Sequence, residues 1–309
     1  MTDDKIQVYG GPGMAKTQTS HYDYEPIIHR RPLELPHGAR VAVVPYINIE
    51  HFPEDIAGTA LVPGTTGFSP DPLNYGWRDY GNRVGLWRIA SILESVGATP
   101  SVCLNSDIAD EYPQIIDEGI KRRWCWIGHG PNNSPDGFLT GLSGDKERAL
   151  IASVLKRIES ATGEKVRGWL GPFLTETFDT PNILAELGVD YLCDFTSDDH
   201  PFEFNTRSGS LISVPYSLEI NDIPMVLSVG LSGEQFGDTI VDQFDLLYEE
   251  GETNARIMPI ALHPFVSGQA FRAKHLRRAL QHIAGHSDVW FATSDEINDW
   301  FRGLPKSKD

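Results

Sequence analysis

Four apolar runs in the sequence stop abruptly at residues able to move protons or hold a metal ion. VAVVPYINIEHF ends in Asn48, Glu50 and His51, and WCWIGHGPNNS ends in His129, with Asn132 and Asn133 behind it. YLCDFTSDDHP ends in Asp194, Asp198 and Asp199, and MPIALHP ends in His263. A carboxylate and two imidazoles on one rim supply a base for water, a group that steadies charge or holds a metal, and an acid for a leaving group. That set is the equipment of a hydrolase. Each residue taken singly has a plainer reading. A histidine at a strand end is commonly a hydrogen-bonded turn residue, and Asp198 and Asp199 ahead of His200 can cap a loop through Asx turns.

The elements that must position these residues follow from periodicity. Short apolar runs at 40–49, 99–104, 124–128, 166–171, 191–195, 211–214, 257–262 and 289–293 read as strands. Amphipathic stretches at 82–96, 114–122, 146–161, 181–187, 233–250 and 274–284 read as helices. End signals support them, including Thr180 before Pro181, Ser232 before Gly233, and Gly97, Gly163, Gly188 and Gly251. Such alternation implies an α/β fold with a largely parallel sheet and crossover helices, whose active site gathers at the C-terminal strand ends. The pattern fits a closed barrel and an open sheet equally. The segment 50–80, rich in Pro, Gly and aromatics, reads as one long loop, a lid or substrate wall.

Composition excludes several classes. With 26 basic against 43 acidic residues the net charge is −17, which repels phosphate backbones and anionic membrane surfaces. No nucleic-acid or membrane partner is expected. The N-terminus has neither a basic nor an apolar leader segment, so a cytoplasmic location is expected. Cys103, Cys125 and Cys193 each lie in a strand-like segment and read as buried thiols. The stretch 10–17, GGPGMAKT, imitates a phosphate loop but has Ala15 where glycine is needed and no helical period after it. Neither Ser143 nor Ser232 completes a G-x-S-x-G elbow.

At INIEH, GHGPNNS, GWLGP, SDDHPF, VPYSLEINDIP and ALHPF, in that order, the chain resembles the polysaccharide deacetylase (NodB-homology) family. With RDYGNRVGLWR it resembles more narrowly the branch that contains the uric-acid-pathway allantoinase and related cyclic-imide hydrolases. The resemblance runs from about Arg40 to the C-terminus. It implies a distorted (β/α) barrel of seven or eight strands over 41–309, with 1–40 as an arm packed on that domain or on a neighbouring subunit of a homo-oligomer.

The family's deacetylases end the first strand in two aspartates, a base and a metal ligand; the matching positions are Glu50 and His51. Of their His-x-x-x-His pair this chain keeps His129, with Asn133 four residues on, and the arginine of the fourth-strand motif matches Leu170. The final catalytic histidine matches His263. Zinc sites want three strong donors, and a neutral amide is a weak one. A standard Asp-His-His site is therefore absent. The expectation is catalysis without a cofactor; a divalent metal such as zinc, if bound, would fall to Glu50, His51 and His129.

The mechanism implied has water attacking a ring carbonyl with Glu50 as base. His129, with Asn133, steadies the oxyanion or orients the substrate, and His263 protonates the departing nitrogen. His51, Arg78, Tyr80, Trp169, Glu176 and Asp199 are the further candidates for holding a small cyclic amide, imide or ureide. Two other readings stand beside this one: a carbohydrate N-deacetylase, and a binding barrel without catalysis.

Overall fold

The computed structural model describes residues 21–56 and 58–305, so the stretch 10–17 lies outside the described residues. Strands β1 (Val41–Ile49), β2 (Ser101–Leu104), β3 (Cys125–Gly128), β4 (Gly168–Trp169), β5 (Tyr191–Leu192), β6 (Phe202–Glu203), β7 (Ile212–Ser213), β8 (Arg256–Leu262) and β9 (Val289–Phe291) form one curled sheet. Its order is β6-β7-β5-β4-β3-β2-β1-β8, with β9 beside the start of β1. Every pairing is parallel except β6 with β7. The free edge of β8 closes onto the segment between β5 and the 220s: Ile257 N donates to Asp199 O at 3.0 Å and Ala261 N to Ile220 O at 2.9 Å. This irregular seam makes the expected barrel a distorted one.

Around the sheet run α1 (Pro72–Tyr80), α2 (Leu86–Ser95), α3 (Ile108–Glu111), α4 (Pro113–Lys121), α5 (Asp145–Thr162), α6 (Thr180–Glu186), α7 (Gly233–Glu250), α8 (Ala270–Ala284) and α9 (Ser294–Arg302). Ser232 and Thr293 close capping boxes with Gln235 and Glu296, which fixes where α7 and α9 begin.

Alternation along the strands decides which side each residue faces, because successive side chains point to opposite sheet faces. Val41, Val43, Ile47 and Ile49 of β1 join Trp126, Trp169, Leu192 and Leu262 in the cluster between sheet and helices. Ala42, Val44 and Tyr46 join Cys103, Ile127, Leu170, Tyr191, Cys193, Ile257 and Ala261 on the concave side. Tyr46 donates to Pro215 O at 3.0 Å, and the three cysteines are buried free thiols.

Several elements differ from the sequence expectation. The segment 50–80 is not one loop, because α1 forms inside it: Asp71 accepts from Asn74 N at 3.1 Å and Pro72 takes the first helical turn, where its missing N–H costs nothing. The two-residue β6 is too short to carry a period, and α9 follows β9 directly with only its cap to announce it.

Residues 21–40 pack on the barrel. Tyr22 stacks among Phe195, Phe202 and Phe204, Arg30 pairs with Asp198 at 2.5 Å, and Leu35 and Ala39 enter the concave cluster. Among the described residues no helix is long and apolar enough to cross a membrane.

Candidate active site

The alternation that builds the barrel also aims its last residues. Continuing β1 past Ile49 puts Asn48 and Glu50 on the concave side and turns His51 outward. By the same count His129 after β3 and His263 after β8 face inward, at the C-terminal mouth. All three are buried. Glu50 Oε1 lies 3.5 Å from His129 Nε2 and 3.7 Å from His263 Nε2. Those separations exceed direct hydrogen bonds and leave Glu50 facing both imidazoles. Below them Asn48 Nδ2 donates to Tyr216 Oη at 3.0 Å and forms the floor.

Backbone contacts fix each ring and carboxylate. His129 Nδ1 is 2.7 Å from the Leu170 carbonyl oxygen. A carbonyl only accepts, so Nδ1 carries a proton, and in the neutral tautomer Nε2 offers a lone pair to the mouth. In that tautomer His129 serves as an acceptor for a water or a substrate N–H, not as the oxyanion donor expected.

His263 is set up oppositely. Its Nδ1 donates to Asp222 Oδ1 at 2.7 Å, its backbone N–H donates to Asp222 Oδ2 at 2.8 Å, and Ser267 N reaches the same oxygen at 3.2 Å. Burial pulls the His263 pKa down, but the charges of Asp222 and Glu50 outweigh it and the net shift is upward. His263 thus holds a proton that Nε2 can give away.

Sequence reasoning missed Asp222, although it sits in the quoted VPYSLEINDIP, where a polar pair interrupts an apolar run. It also missed Asn105, which accepts from His51 N at 2.8 Å and donates to the His129 carbonyl and to Asn133 Oδ1 at 3.3 Å. Asn105 ends β2 on the inward parity, the same signal that marks Glu50.

The motif RDYGNRVG acts by close approach. Asn82 Nδ2 holds the Glu50 carbonyl at 3.0 Å. Gly81 and Gly85 lie in a π-helical turn, Gly81–Gly85, pressed on the loop that carries His263. A Cβ at Gly81 would come within 2.7 Å of Phe265 N, and one at Gly85 within 2.1 Å of Pro264 O.

No protein-family model matches the sequence. A putative polysaccharide deacetylase of Schizosaccharomyces pombe is 25% identical over 238 residues, covering 71% of this chain and 73% of the relative. Among solved structures, a probable polysaccharide deacetylase from Pseudomonas aeruginosa PAO1 superposes with TM-score 0.80 at 24% identity, covering 90% of this chain and 97% of that one. PuuE allantoinase superposes with TM-score 0.80 at 23% identity, covering 93% and 100%. The chain is a homologue of the polysaccharide deacetylases.

Within this NodB-like barrel the remaining predicted residues fall in several places. Arg78 and Glu50 line one small cleft, together with Phe52, Tyr75 and Asn82. Asn133 is buried beside the mouth, its N–H donating to His51 O at 2.9 Å. Glu176 lies next to Asp194, whose Oδ1 accepts from Gly171 N at 2.7 Å and whose charge interacts with His129. Burial raises both carboxyls, and in Glu176 the charge of Asp194 adds to the shift. Tyr80 is held by Arg88 at 2.9 Å. Trp169 is fully buried between sheet and helices, packed against Gly128, and away from the mouth. Asp199 binds Ile257 at the beginning of β8, the end of the barrel opposite His263, with Arg256 3.8 Å away.

Metal ligation through Glu50, His51 and His129 does not fit. The His51 ring lies against Tyr112 with Asp107 and Glu111 as its charged neighbours, and Asn133 Oδ1 is engaged by Asn105. Among the described residues, the His, Cys, Asp and Glu side chains whose ligand atoms gather within 4.8 Å of one another are Asp245, His282 and His286. That group sits at the C-terminal ends of α7 and α8, in the helical layer and at the far end of the barrel from Glu50.

Proposed function

We propose that the chain is a hydrolase of non-peptide carbon–nitrogen bonds, and that its substrate is a small cyclic amide, imide or ureide. The observation that carries this reading is that Glu50 Oε1 lies 3.5 Å from His129 Nε2 and 3.7 Å from His263 Nε2 at the C-terminal mouth of the barrel. Water held between Glu50 and the His129 Nε2 lone pair loses its proton to Glu50 as it attacks the carbonyl carbon. His263 then delivers its Nε2 proton to the departing nitrogen, while Asp222 steadies the imidazolium before transfer. Ring opening leaves a carboxylate and an amine, amide or ureide in one molecule. No step passes through a metal.

The small cleft at Glu50, walled by Phe52 and Tyr75, suits a compact ring better than a polymer. The names of the relatives keep a carbohydrate N-deacetylase as the alternative. A turnover panel of succinimide, hydantoin, allantoin and acetylated chitooligosaccharides separates the two. Ring opening without acetate release supports the proposal; acetate release alone overturns it.

A further inference from the structure

Arg78 presents a problem that the hydrolytic machinery does not solve. It lies on α1 and is only 3% exposed, yet its charge closes no salt bridge among the described residues. Nη1 donates to the Thr59 carbonyl at 2.8 Å, and the guanidinium stacks on Phe52 with its carbon 4.7 Å from the ring centroid. Among the described residues Nε and Nη2 have no acceptor. The nearest carboxylates do not relieve it: both oxygens of Asp71 are taken by Asn74, and Glu50 acts on Arg78 only through its field. Burial lowers the Arg78 pKa against the pull of those carboxylates, as for a cation short of compensation. The guanidinium cannot escape by losing its proton.

Two adjacent N–H groups left free on a buried guanidinium form a fork that matches a carboxylate in bidentate geometry. The covering loop is shaped to keep that fork in place. Gly58 passes so close that a Cβ there would stand 2.9 Å from Nη1 and 3.0 Å from Phe52. We infer that Arg78 is an anion receptor at the edge of the Glu50 cleft, and that the ring compound bound there carries a carboxylate of its own. This rests on the reading of the Glu50 cleft as the substrate site and narrows its substrate class. The negative group is held at Arg78 while the ring amide lies over Glu50, and a neutral ring leaves the cation uncompensated.

Calorimetric binding, which needs no turnover, tests this on the full chain with matched probes. 5-Oxoproline carries the carboxylate, 2-pyrrolidinone lacks it, 4-aminobutyrate carries only the carboxylate that ring opening would generate, and succinate has no ring. The expected result is that 5-oxoproline binds at least tenfold more tightly than 2-pyrrolidinone, and that Arg78→Gln and Arg78→Met abolish the difference. Both variants should melt no lower than the wild type, because removing an uncompensated buried charge relieves the fold, whereas a merely structural arginine would lower the melting temperature. Equal affinity for the two rings overturns the inference. So does Arg78-dependent tightening confined to 4-aminobutyrate, which would assign the fork to the product. Arg78-dependent binding of succinate with no binding of either ring would keep the anion receptor and defeat the cyclic-amide reading; no binding of any probe would defeat both.

Discussion

Asp222 holds His263 from two directions, one carboxylate oxygen on the ring Nδ1 at 2.7 Å and the other on the backbone N–H of the same residue at 2.8 Å. The ring therefore cannot rotate without breaking a charge-assisted bond, and its pKa lies above the ordinary histidine value. Asp222→Asn removes the charge that favours the imidazolium while keeping most of the shape. The His263 pKa then falls, and the acid form is lost at lower pH. The alkaline limb of the kcat/KM profile should move to lower pH, each unit of movement costing about tenfold in rate above it. An unmoved limb contradicts the acid role of His263.

Glu176 and Asp194 make a prediction about stability. Both carboxyls are raised, chiefly by burial, so the folded chain binds protons that the unfolded chain has released. Such groups give their full stabilisation below the unfolded pKa of about 4 and lose it as pH rises toward the folded value. Wild-type melting temperature should fall between pH 5 and 9 more steeply than that of Glu176→Gln, with the two curves meeting near pH 4. Parallel curves would show that the pair carries no such strain.

The facing of His51 and His129 is tested by a pair of substitutions. His129→Ala removes the inward lone pair beside Glu50 and should lower kcat about 100-fold or more. His51→Ala removes a ring that packs on Tyr112 outside the mouth, and kcat should stay within about threefold. Equal losses in steady-state assays would mean that the alternation along β1 does not continue past Ile49.

Gly85→Ala probes how the π-helical turn supports the His263 loop. The added methyl meets Pro264 O at 2.1 Å, backbone that cannot step aside cheaply. Overpacking should cost about 1–3 kcal/mol in denaturant unfolding, with a fall in kcat as His263 is displaced. An unchanged midpoint would show that the contact is soft.

Much of this arrangement was legible in the sequence. The long apolar runs and glycine punctuation mark the strands and helices because burial on both sheet faces leaves a strong signal, and Glu50, His129 and His263 stand out because each ends such a run. The same two-residue period turns His51 and Trp169 outward. Motif resemblance alone does not show this, since it matches positions without asking which face they occupy. Asp222 and Asn105 act through backbone N–H and carbonyl groups of residues far away in sequence, so their partners emerge only when β8 meets the segment before 222 and β2 meets β3. Asp199 was misleading for a related reason. The chain after β5 runs down the barrel seam instead of staying at the mouth, and nothing local in SDDHP distinguishes the two ends.

Turnover by Glu50→Gln, measured on the ring compound that the wild type opens fastest, tests the account most directly. The variant keeps the shape of the carboxylate and removes its basicity. The expected result is a loss of about 100-fold to 10,000-fold in kcat, with ligand affinity and melting temperature near the wild type. Ring opening within tenfold of the wild-type rate would contradict the assignment of Glu50 as the group that takes the proton from water.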